Sequence, residues 1–233
     1  MTDQHGFLTG QGREQPRPGW SIDKFDDHGR VRATPGLTTL CHIDQESAGF
    51  AALVQAQQAL RAGPHAGAFA FLPQDSLHMT VFDGVIDYRR GPGEWPAHLP
   101  ADAPMAAVEA DWRARLQAFT GPRDIAIRAT GLTGGFTVAV TGATVRDEAR
   151  LRAARDTLAA TLGLRRANHD SYRFHITLAY QIRWLSDAAA RAVVALSQDS
   201  FADVADRLQA IGFGRVEFCR FDTMHRFDPI CLL

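Results

Sequence analysis

The chain has little cysteine: three residues in 233, Cys41, Cys219 and Cys231, an odd number at wide spacings. No C-x-x-C pair occurs among them, so neither a thiolate zinc site nor a thioredoxin-like couple is on offer. A core of this size needs no disulfide staple, and the three read as ordinary, partly buried thiols of a reducing compartment. Long apolar runs are also missing. Nothing approaches the stretch of about 18 apolar residues that would span a bilayer, and Met1-Thr2-Asp3-Gln4-His5 lacks the basic and apolar regions of a signal peptide. A cytoplasmic protein away from membranes is expected. Charge of one sign is missing too. Lys and Arg number 25 against 26 Asp and Glu, for a formal net charge of −1, so no global positive field exists to hold a long polyanion. A small anionic ligand fits better, with an RNA end as the largest partner to consider. No G-x-S-x-G elbow, phosphate-binding P-loop or H-E-x-x-H helix is present.

What is there has ordinary globular composition, 45% hydrophobic and 22% charged. Residues 1–36 are broken by Pro16, Pro18, Gly19, Gly29, Pro35 and Gly36 and read as an irregular N-terminal arm. From 37 onward, strand patterns are predicted at 37–43, 68–72, 77–82, 125–129, 136–140, 172–178 and 215–221, with a last extended piece to Leu233. Gly134-Gly135 joins the fourth and fifth of these. Helices are predicted at about 46–62, 106–119, 145–162 and 186–209, with 86–105 a loop. The arginines bunched at Arg146, Arg150, Arg152, Arg155, Arg165 and Arg166 are expected on a solvated helix face. Each half sets a helix before a strand bearing His-x-Thr, which predicts two related lobes, about 37–120 and 121–233, in one domain.

Those two strands, His78-Met79-Thr80 and His175-Ile176-Thr177, carry the chemistry. Side chains alternate along a strand, so each presents an imidazole and a hydroxyl on one face, with Met79 or Ile176 on the other. One His-x-Thr is common by chance; two in matching register, one per half, point to function. A neutral imidazole can take a proton and a protonated one can give it, both near pH 7. Hydroxyls can donate to phosphate oxygens. The same parity puts Phe82 beside Thr80, as a base-stacking or a packing ring, and Arg173 beside His175, as a phosphate clamp or a rim charge. It also points Tyr180 toward the core. Tyr172 and Lys24 are weaker candidates, the latter only if the arm folds over the cleft. His42, His169 and His225 stay open.

At His78-Met79-Thr80-Val81 and His175-Ile176-Thr177-Leu178 the chain resembles the two-histidine phosphoesterase superfamily. The arm from Lys24-Phe25-Asp26 to Thr39, with His78 through Gly84, further resembles its bacterial branch of unknown function, DUF1868. The resemblance implies an α+β, bilobal fold: two antiparallel sheets facing a central cleft, helices outside. It implies a metal-independent phosphodiesterase without cofactor, opening a small cyclic phosphodiester such as a nucleoside 2′,3′-cyclic phosphate, in the orbit of RNA processing. His78 and His175 would be catalytic, and Thr80 and Thr177 would bind the phosphate. Two rivals stand beside it: a nucleotide-binding module without turnover, and a metallohydrolase using His78, His175 and a carboxylate such as Asp83.

Overall fold

A computed structural model of the chain describes residues 4–134 and 136–233. Residues 1–3 and Gly135, half of the expected Gly-Gly turn, lie outside the described residues. Eight strands form one curled antiparallel sheet: β1 (Gly36–His42), β3 (His78–Ile86), β4 (Ala126–Thr133), β5 (Thr137–Gly142), β6 (His175–Thr177), β8 (Ile211–Gly212), β9 (Glu217–Thr223) and β10 (Arg226–Leu232). Their order is β10-β9-β1-β3-β6-β5-β4-β8. A small second sheet pairs β2 (Phe69–Phe71) with β7 (Ala179–Gln181).

The expectation of two sheets with one motif strand in each is corrected here. β3 and β6 are neighbours in the large sheet, paired through Met79↔Ile176. The reason lies in their apolar faces. Met79, Val81 and Ile176 share a single core with Leu53 of α2 (Ala48–Ala62), Trp112 of α3 (Met105–Leu116) and Leu158 of α4 (Val145–Leu162). Strands burying the same face against the same helices pair edge to edge rather than facing one another. The halves of the chain do not map onto the halves of the sheet either, because β9 and β10 return to flank β1.

The helices start and stop where the sequence provides caps. Ser47 accepts from the Phe50 N–H at the head of α2, and Thr144 from the Asp147 N–H at the head of α4. Gly163 closes α4 at φ 64°, a left-handed position that glycine adopts without steric cost. The last helix is shorter than predicted: α5 runs Asp187–Ala202, and a 3-10 turn, Ala205–Leu208, takes up the rest. β6 is also shorter than the 172–178 pattern. At Leu178 the chain leaves the large sheet for the small one: its N–H donates to the Phe136 carbonyl, and its own carbonyl receives the Leu72 N–H and Gln57 Nε2.

The arm forms one short helix, α1 (Gln4–Thr9), and from residue 10 to 35 runs in turns and coil apart from a bridge between Phe25 and Val31, yet it is packed: Phe7 stacks on Trp20 at 4.6 Å, and Leu8 and Phe25 are completely buried. Ser21 Oγ donates to the Gln181 carbonyl at 2.7 Å, tying the arm to β7. A second core, containing Phe25, Leu72, Phe221 and Phe227, lies on the face of the sheet away from α2, α3 and α4. No helix among the described residues is long and apolar enough to cross a membrane.

Candidate active site

The Met79↔Ile176 pairing fixes the site. Continued one residue each way, the antiparallel register sets His78 opposite Thr177 and Thr80 opposite His175. Opposite residues stand about 5 Å apart and diagonal ones roughly 7–8 Å. Two imidazoles on one diagonal and two hydroxyls on the other thus mark the corners of a four-cornered patch, about 5 Å across the strands and roughly 7 Å along them. All four line a cavity of about 330 Å³.

Both rings are held the same way. His78 Nδ1 lies 2.7 Å from the Ser76 carbonyl and His175 Nδ1 lies 2.9 Å from the Arg173 carbonyl. A carbonyl can only accept, so each Nδ1 carries the proton and donates it, and Nε2 is the nitrogen left for chemistry. Their surroundings differ. Burial pushes the His78 imidazole down from 6.5 to about 4; the His42 and His175 rings add to the fall, while the Ser76 carbonyl and Glu217 oppose it. His42 is itself tied to Glu217 at 2.8 Å, and the Phe227 ring packs 4.3 Å from His78.

Other candidates divide. Lys24 and Tyr172 line the cavity, Lys24 because the arm folds across it and sets Nζ 3.2 Å from the Tyr180 hydroxyl. Tyr172 is buried under Arg155, whose guanidinium lies 3.7 Å from the ring centre, and burial holds its phenol well above the usual range. Phe82 is not in the cavity. Two register shifts between β1 and β3 break the alternation, turn Phe82 into the core at 0% exposure and bring Asp83 out in its place. Arg173 is exposed and lines a separate hollow with Thr130 and Arg191. Tyr180, expected in the core, faces the cavity because the break at Leu178 resets its parity.

The first motif lies within a segment, residues 24–136, that matches the 2H-phosphodiesterase family described as a domain of unknown function, DUF1868. The crystal structure of a conserved protein of unknown function, ATU0111 from Agrobacterium tumefaciens strain C58, is similar over 100% of this chain and 99% of its own. It superimposes with a TM-score of 0.93 at 32% identity. The chain belongs to the 2H phosphodiesterase family. No match is found among curated proteins. Family membership suggests phosphodiesterase, hence hydrolase, activity.

Several residues that line the cavity were not singled out as such from the sequence, Arg89, Arg166, Asn168, Tyr180 and Phe227, while Asp83 entered there only as the carboxylate of the metallohydrolase rival. Two arginines of the supposed solvated cluster are inside. Arg155 is 1% exposed and bonds Asp83 Oδ2 at 3.1 Å and the Val81 carbonyl at 2.9 Å. Arg166 donates to the Gly84 carbonyl, and burial lowers its pKa. A signal for Arg155 existed: it shares the helical spacing of Leu151, Leu158 and Leu162, the buried face of α4. Cys41 and Cys219 are completely buried, and burial pushes both thiols far up, so they are inert. Among the described residues no three His, Cys, Asp or Glu side chains cluster as metal ligands.

Proposed function

We propose that the chain hydrolyses a small cyclic phosphodiester, a nucleoside 2′,3′-cyclic phosphate, by paired imidazole acid and base catalysis without a metal. The observation that carries this reading is the patch of His78, Thr177, His175 and Thr80 with both Nδ1 atoms committed to backbone carbonyls. The cyclic phosphate sits over the patch with its non-bridging oxygens on the Thr80 and Thr177 hydroxyls. His78, kept neutral by burial, takes a proton from the attacking water through Nε2. The water oxygen bonds to phosphorus, one ring P–O bond breaks, and His175 delivers a proton to the departing sugar oxygen. The product is a nucleoside monophosphate; His78 passes the proton it gained to solvent and His175 takes one up from solvent, which restores both rings.

A cyclic phosphate bears one negative charge, so hydroxyl donors and imidazoles suffice where a more highly charged monoester recruits metal ions. The metallohydrolase reading needs a free carboxylate beside the rings. Asp83 is the one in the cavity, and its Oδ2 is held by Arg155 at 3.1 Å. Purified protein incubated with nucleoside 2′,3′-cyclic phosphates should release monophosphate, undiminished by a chelator. Loss of turnover on chelation, restored by added metal, refutes the metal-free mechanism. Binding without turnover leaves the nucleotide-binding module.

A further inference from the structure

We infer that Asp83, with Arg166 and Asn168, reads a guanine base, so that the substrate is a guanosine 2′,3′-cyclic phosphate; the inference rests on the function proposed above. A carboxylate on the wall of a phosphate site works against the substrate's own charge. It is retained here with some investment. The irregular β1–β3 register turns Phe82 inward and Asp83 outward, and a completely buried arginine, Arg155, bonds Oδ2 and the Val81 carbonyl while lying on the Tyr172 ring. The carboxylate is thereby fixed in direction, yet its side chain stays 36% exposed on the cavity side. Such a group accepts hydrogen bonds from paired neutral N–H donors.

The neighbouring guanidinium offers the complement. Arg166 donates to the Gly84 carbonyl through Nη2, while its Nη1 lies 3.8 Å from Glu94, near enough to balance charge but past hydrogen-bond reach. The Asn168 amide lines the same wall. Guanine alone among the bases sets two adjacent donors, N1–H and the N2 amine, beside an acceptor pair, O6 and N7, that arginine binds. The charges near Asp83 are matched in pairs, Arg155 with Asp83, Arg89 with Asp23 at 2.8 Å and Arg166 with Glu94. That balance suits a neutral base better than a second phosphate. The reach is right as well: Thr80 and Asp83 are three residues apart, at most roughly 10 Å along a strand, within the span of one nucleoside.

The test measures kcat/KM on the unaltered protein for guanosine, inosine, adenosine, cytidine and uridine 2′,3′-cyclic phosphates. Guanosine should be favoured by about 10- to 100-fold over adenosine, with inosine, which lacks the amine, in between. Asp83→Asn should level the series, bringing the guanosine rate down relative to that of the other bases in the same variant. Equal rates for all bases overturn the inference and leave the general function standing. So does a preference for a 5′-phosphate regardless of base. If no cyclic nucleotide is turned over, calorimetric titration with guanosine and adenosine 3′-monophosphates separates the two claims: tighter guanosine binding supports the base site although the hydrolase reading fails, and base-indifferent binding overturns it.

Discussion

The two motif strands share a sequence pattern and a hydrogen bond, but not an environment. In both, the histidine ring is anchored to the carbonyl two residues upstream, so one local geometry selects one tautomer twice. β3 is nine residues long and lies between β1 and β6, with Phe227 against its histidine and the His42–Glu217 pair alongside. β6 is three residues long, and its histidine ring lies tilted to that of Tyr172, 6.0 Å between centres. Duplicating the motif therefore sets the same tautomer twice, while the packing around each copy gives its ring a different environment.

The sharpest way to break that comparison is to remove one ring at a time. His78→Ala and His175→Ala should each lower kcat by ~10²- to 10⁴-fold with the fold intact by circular dichroism; a variant retaining normal turnover would remove its ring from the mechanism. Thr80→Val and Thr177→Val delete one phosphate donor each and should cost ~10²-fold in kcat with a small change in KM.

The pH dependence tests the asymmetry directly. With His78 as the base, kcat/KM should hold as pH falls and drop only through an inflection near 4. An acid limb near 6.5 would assign the base elsewhere. The same shift acts on stability. Since the folded value lies below the ordinary 6.5, the unfolded chain binds a proton that the folded one refuses between about 6.5 and 4. Stability is then full above that window and declines across it as pH falls, by at most about 3 kcal/mol. Denaturant melts of His78→Asn should lack this slope. Smallest of all, Lys24→Ala should raise KM by about fivefold or less, since this half-buried residue is held at the cavity by a neutral partner, the Tyr180 hydroxyl.

That each motif turns its histidine and threonine to one face was legible in the sequence because period-two alternation needs nothing beyond the strand itself. His78, Thr80, His175 and Thr177 share a cavity as parity requires. The exchange of Phe82 for Asp83 was not legible. A bulge is a relation between two strands, and nothing in His78–Ile86 alone announces that β1 will be short of residues opposite it. The same holds for Tyr180, whose direction depends on Leu178 abandoning one sheet for another. Two lobes were inferred from a repeated order of elements. The fold keeps that order but joins the motif strands side by side, because pairing depends on which faces share a core rather than on chain symmetry.

The return of β9 to β1 has a consequence for how the protein comes into being. β1 is made early, and the strand that covers its outer edge is synthesised after everything between them. Until then, a ribosome-bound chain shows an unpaired ribbon of Leu37, Thr38, Thr39 and Leu40, inviting the wrong neighbour. Phe227, the ring that packs against His78, arrives later still. A chain made only as far as β6 therefore holds both histidines but not the ring that packs on the first of them, and that side of the cavity waits for the closing hairpin.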